Sequence, residues 1–164
     1  MTMADRIAVM DKGRIMQVAT PPEIYEAPTS RFIADFVGSV NMFEGKVTAR
    51  DNGVATIDGG NGFTIRADNA GQAPSGSTVW FAVRPEKIKV SSKRPEDGAL
   101  NAAEGEIWDI AYLGDMTLYH VRLDDGRMVR TSLVNAERAT QDPLSWHDRA
   151  WISFRPDAGV VLTS

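Results

Sequence analysis

Val79-Trp80-Phe81-Ala82-Val83-Arg84-Pro85-Glu86 recurs as Ala150-Trp151-Ile152-Ser153-Phe154-Arg155-Pro156-Asp157. Each copy is an apolar, tryptophan-bearing run that ends where proline removes a backbone donor, which is how a strand terminates. A second pair of matches, Glu44-Gly45-Lys46-Val47 and Glu104-Gly105-Glu106-Ile107, precedes the first pair in the same order. Two halves of one duplication therefore each open on a strand after Glu-Gly and close on a strand before Arg-Pro-acid.

Between these marks the hydrophobic period is 2. Phe63 and Ile65 alternate with Thr64 and Arg66, and Tyr119, Val121 and Leu123 with His120, Arg122 and Asp124, while Asp125-Gly126 marks a tight hairpin. From Asn41 onward no segment keeps helical spacing, so residues 41–164 are expected to be β. Lobes at about 42–92 and 102–164 each have room for about five short strands, which favours OB-like barrels. The turn-rich stretch Ser91 to Asn101 is the expected link between them.

Residues 1–40 read differently. Residues 6–19 alternate as a hairpin about Asp11-Lys12-Gly13. Thr20, Pro21 and Glu23 form a capping box opening a short helix that Pro28 ends. Phe32, Ile33, Phe36 and Val37 give a second helix one apolar face, with Gly38 expected as a left-handed stop. The whole chain is thus mainly β, preceded by a hairpin and two short helices.

Composition narrows the function. With 43% hydrophobic residues in 164, the chain is long enough for a real core. Eighteen basic against 22 acidic residues, with no run of either sign, argue against a nucleic-acid partner even though the tryptophans of an OB-like barrel invite one. Those tryptophans are expected to fill the core. The absence of cysteine excludes disulfides and thiolate metal sites, and the longest apolar run, Val79 to Val83, excludes direct insertion as a membrane-spanning helix.

No catalytic set is evident. Gly45-Lys46 is followed by Val47 and opens a strand, so it lacks the Ser or Thr and the helix of a phosphate-binding loop. His120 and His147 lie outside any metal-ligand spacing, and no Gly-x-Ser-x-Gly elbow occurs. No catalytic, cofactor or metal residue is assigned. Asp109 and Asp115 with Tyr112 and Tyr119 could grip a small polycation, but Gly114-Asp115 reads first as a turn, with Asp109 pointing away from an inward row of Trp108, Ile110 and Tyr112. Arg84, Pro85 and Glu86, their counterparts Arg155, Pro156 and Asp157, and Gly114 with Asp115 are the candidate interface or turn positions.

Several segments together resemble the C-terminal part of the ATP-binding subunit of an ABC-class polyamine importer, most like the putrescine branch. They are Met3 to Ile7, Gly13 to Ile15, Pro21 to Tyr25, Phe32 to Asn41, Val83 to Glu86 and Ile110 to Met116. The resemblance implies that residues 1–40 correspond to the end of an ATPase domain and residues 41–164 to a TOBE-type regulatory domain of OB-like lobes. Residues like 3–6 would directly follow the switch histidine of the ATPase site, so ATP and magnesium are expected in the parent subunit and no cofactor in this chain. The implied role is non-catalytic regulation and dimerisation. Partners would be a second copy of the subunit as a homodimer and, through the ATPase domain, the transporter's membrane subunits. The implied location is cytoplasmic, peripheral on the inner face of the plasma membrane. The alternatives are a small-ligand sensor for a polyamine or an oxyanion and, behind it, an OB-type nucleic-acid module.

Overall fold

The computed structural model describes residues 3–68, 70–138 and 143–164. Strands β1 (Ile7–Asp11) and β2 (Arg14–Ala19) form the expected hairpin, turning through Lys12 and Gly13, both at positive φ (48° and 78°). Helix α1 (Pro21–Glu26) starts at the anticipated box, with Thr20 N–H and Oγ1 both donating to Glu23 Oε2 at 2.9 and 2.8 Å. Those bonds hold the Glu23 carboxyl below its ordinary range. Helix α2 (Arg31–Val37) is capped by Ser30 Oγ, which accepts from Ile33 N–H. Gly38 departs from expectation. Its φ of 167° is extended and not left-handed, because the carbonyls at that helix end bond a side chain described below.

The β region runs β3 (Asn41–Asp51), β4 (Val54–Asp58), β5 (Thr64–Asp68), β6 (Thr78–Val83) and β7 (Lys89–Ser91). It continues with β8 (Asn101–Tyr112), β9 (Met116–Leu123), β10 (Met128–Val134), β11 (Arg149–Phe154) and β12 (Gly159–Leu162). A four-residue helix, α3 (Asn135–Arg138), follows β10 where no helix is expected. The two sheets are ordered β12-β6-β3-β4-β5 and β7-β11-β8-β9-β10. Strand by strand the second repeats the first, with one exchange: the fifth strand of each half pairs in the other half's sheet, β12 on β6 and β7 on β11.

Pro85 explains the exchange locally. It cannot donate to a ladder, so β6 stops, and the 3-10 turn Pro85–Lys87 redirects the chain into the neighbouring sheet. The two sequence halves consequently share one core. Phe154, at the end of the second half, stacks on Phe43 and Phe81 of the first at 5.7 Å each, and a single cluster runs from Phe43 to Phe154 through Ile57, Ile65, Ile107, Val121 and Ile152.

The repeated Glu-Gly pairs have a steric cause. Near Gly45, β3 passes from pairing with β6 to pairing with β4; near Gly105, β8 passes from β11 to β9. A Cβ at Gly45 would lie 2.5 Å from the Asp58 carbonyl oxygen, and one at Gly105 would lie 2.4 Å from that of Arg122. Backbone cannot give way as a side chain can, so Gly105→Ala is expected to cost about 1–3 kcal/mol. That is a fall of roughly 2–12 °C in melting temperature. Gly98→Ala, whose Cβ would meet open space, serves as the unaffected control.

A further pair of equivalent residues locks the halves together. Asn41, at the head of β3, donates from Nδ2 to Arg130 O at 2.7 Å and accepts Arg130 N–H on Oδ1 at 2.8 Å. Asn101, at the head of β8, does the same to Arg66, with both bonds at 2.8 Å. Each buried amide thus reaches from one sheet to the last strand but two of the other half and satisfies both backbone groups of one residue.

The tryptophans do not fill the core. Trp80 and Trp151 are half-buried, while Trp108 and Trp146 are exposed. Trp80 carries the Arg31 guanidinium 3.7 Å above its ring and donates Nε1–H to Glu44; Arg94 lies 5.3 Å from the Trp151 ring centre. A bulge in β8 between Ile107 and Asp109 breaks the alternation on which an inward Trp108 depends, and Tyr112, at the strand's end, is also exposed.

Candidate functional site

The first Arg-Pro-acid copy lies beneath the helices. Arg84, 5% exposed, leaves the end of β6 and sends its guanidinium between α1 and α2. Nη1 donates to the carbonyls of Ala34, Gly38 and Ser39 at 2.9, 3.0 and 3.1 Å, and Nη2 to that of Tyr25 at 3.1 Å. Carbonyls in the last turn of a helix lack intrahelical partners and carry the negative end of its dipole, so one cation here caps two helices. The face of the guanidinium covers the Tyr25 ring at 4.3 Å.

Residues beside Arg84 complete the junction. Tyr25 Oη donates to Glu86 Oε1 at 2.6 Å, and Lys87 pairs with Glu26. Burial, followed by the bond to Glu86, pushes the Tyr25 phenol up to about 12. Arg84 and Pro85 are both buried, and Arg84 serves as an internal clamp between β6 and the two helices. On either side of it two small apolar clusters seat the helices: Ala34 with Val40, Ala82 and Leu162, and Ile24 with Ile33 and Val9. The single apolar face expected of α2 is therefore divided, with Ile33 and Ala34 inward and Phe32 and Phe36 stacked on each other at the surface.

Among the described residues no helix lies above the second copy. Arg155 turns back on its own acid, Nε and Nη2 each donating to Asp157 at 3.0 Å, with its side chain 74% exposed. Pro156 accepts Asp68 N–H at 2.9 Å. Arg155, Pro156 and Asp157 border an open cleft of about 850 Å³, shared with Asp68, Glu86, Lys89 and Asp97. Its charges are of both signs, and among the described residues no group of three His, Asp or Glu is placed to hold a metal ion.

Gly114 and Asp115 form the turn between β8 and β9, Gly114 at φ +83° and Leu113 N–H on Met116 O at 2.9 Å. Asn135 secures it. Its backbone N–H donates to Asp115 O, its Nδ2 to Gly114 O, and its Oδ1 accepts Thr117 Oγ1–H at 2.6 Å. Asp109 is elsewhere engaged, Oδ1 accepting from Ile110 N–H at 2.9 Å and Trp146 Nε1–H at 3.4 Å. The Asn41, Asn101 and Asn135 bridges were not read from the sequence. The first two carried a signal there, Asn-x-x-Glu-Gly in both halves.

The family model of the TOBE domain matches residues 81–162, half of the chain. The chain belongs to the TOBE domain family. It matches C-terminal regions of polyamine importer ATP-binding subunits. The putrescine transport ATP-binding protein PotG of Escherichia coli (strain K12) is 42% identical over 164 residues, covering 99% of this chain and 43% of PotG. The spermidine/putrescine import ATP-binding protein PotA of Thermobifida fusca (strain YX) is 37% identical, covering 99% of this chain and 41% of that protein. This TOBE chain therefore spans less than half the length of the curated relatives it matches. Among solved structures, the cytoplasmic molybdate-binding protein ModG, with molybdate bound, superposes at a TM-score of 0.64 and 17% identity, covering 74% of this chain and 94% of that one. That likeness concerns the fold, and the architecture is the OB-like one expected.

Proposed function

We propose that this TOBE chain is the non-catalytic regulatory and dimerisation part of the ATP-binding subunit of an ABC-class polyamine importer, of the putrescine kind. The observation that carries the proposal is the Arg84 clamp, which makes the hairpin-and-helix segment and the β body one mechanical unit. If α1 and α2 close an ATPase domain, a displacement of that domain is transmitted to the sheets without loss at the joint. The second copy of the subunit and, through the ATPase domain, the membrane subunits are its partners in this reading, and the inner face of the membrane is its place of work.

The reading gives the chain no ATP chemistry of its own. Purified chain is expected to hydrolyse ATP no faster than buffer, and turnover that survives removal of contaminants overturns the proposal. A second reading rests on the cleft beside Arg155. Its mixture of carboxylates and cations could hold a small charged ligand, and calorimetry with putrescine and with molybdate tests it; no heat with either removes this reading.

A further inference from the structure

The duplication supplies an internal comparison, because strand registers set each position of the second sheet against one in the first. Thr48 and Trp108 occupy the same bulge, between Val47 and Ala49 and between Ile107 and Asp109. Thr64, opposite Asp58, corresponds to Met128, opposite Arg122. β9 and β10 also extend further than β4 and β5, adding the pair Met116 and Val134. In a shared fold, these positions carry threonine or nothing on one sheet and large apolar groups on the other.

All of them face outward from the core. β9 buries Thr117, Tyr119, Val121 and Leu123 and turns Met116, Leu118, His120 and Arg122 away, and β10 continues the pattern. Trp108, Met128, Val134 and Leu113 are 44–56% exposed, and Trp146 joins them across Asp109 at 49%. Half of the roughly 150–250 Å² that a large aromatic side chain can bury is about 100 Å², so the face offers on the order of 500 Å² of apolar surface. A standard interface needs about 800 Å² per partner, some 60% of it apolar, which is close to that amount.

We infer that the outer face of the second sheet, centred on Trp108, Met128 and Val134, packs against the same face of a second copy of this chain. This rests on the dimerisation reading above and assigns it a surface. The face bears both signs of charge, Arg122 stacked 5.0 Å from Trp108 and Asp109 beside Trp146, so a two-fold arrangement sets cation against carboxylate. The first sheet, polar at the matching positions, stays free.

Sedimentation equilibrium of the full chain over a wide concentration range tests the assignment. Wild type is expected to dimerise. Trp108→Thr/Met128→Thr, which installs the threonines that the first half already tolerates, is expected to weaken dimerisation about tenfold or more, as loss of a central aromatic anchor does. Val134→Lys, at an exposed strand end, is expected to act alike without touching the core, and Phe36→Ser, on the helices, to change nothing. Wild type and variants equally dimeric would overturn the face while leaving the dimerisation reading intact. A wild type monomeric throughout would overturn both.

Discussion

Arg84→Ala is expected to lower the melting temperature by roughly 6–20 °C and to accelerate amide exchange through residues 21–38 by about two to four orders of magnitude, while Arg155→Ala is expected to do neither. A hydrogen bond from a charged group is worth about 1.5–3 kcal/mol, and four sharing one guanidinium are not additive. About 3–5 kcal/mol is the scale set by breaking buried charged contacts. At 2–4 °C per kcal/mol for a chain of this size, that gives the melting range. The exchange effect concentrates in α1 and α2 because it is their carbonyls that lose the donor. Arg84→Lys is expected to recover less than half, since an ammonium cannot fan across four carbonyls and lie flat on Tyr25. Among the described residues Arg155 pairs with Asp157 alone, at the surface, where an ion pair contributes about 0–1 kcal/mol. Differential scanning calorimetry and hydrogen exchange on the three variants check the set.

Asn101→Ala is expected to destabilise the chain by about 2–4 kcal/mol, and Asn41→Ala by a similar amount. Each removes one donor and one acceptor from a buried position and leaves the N–H and C=O of Arg66 or Arg130 without their partners. The chemistry supplies its own control. Asn101→Asp can still accept Arg66 N–H but cannot donate to Arg66 O, so it retains one bond at the cost of a buried charge and is expected to be no more stable than the alanine variant. Urea denaturation gives all the values, and a loss below about 0.5 kcal/mol for Asn101→Ala would show that the amide does not hold the sheets together.

The halves were legible because the steric and terminating requirements fall on single residues. Gly45 and Gly105 are needed where a strand changes partner, and Pro85 and Pro156 where a ladder must stop. The alternation of Tyr119, Val121 and Leu123 likewise identified the buried side of β9. The exchange of β7 and β12 was not legible, since a fifth strand carries the same local pattern whichever half it joins. Trp108 was misplaced because a bulge shifts alternation by one residue without any mark in composition.

The site was half legible for a related reason. Arg84 and Arg155 stand in near-identical sequence, yet one is buried under two helix ends and the other exposed beside its own acid. That difference comes from α1 and α2, whose carbonyls lie 45 to 59 residues before Arg84, and no local reading of Arg-Pro-acid contains it. Gly38 illustrates the same dependence: its carbonyl is satisfied by Arg84 from outside the helix, so the backbone need not turn left-handed to find a partner.

The coupling of the helices to the sheets is most directly measured as a distance. The chain has no cysteine, so Asp35→Cys on α2 and Thr64→Cys on β5, both exposed, place spin labels without background. Pulsed electron spin resonance is expected to give one narrow distance distribution with Arg84 in place and a broad one after Arg84→Ala. A broad or multiple distribution with Arg84 intact would contradict the claim that the two parts move as one body.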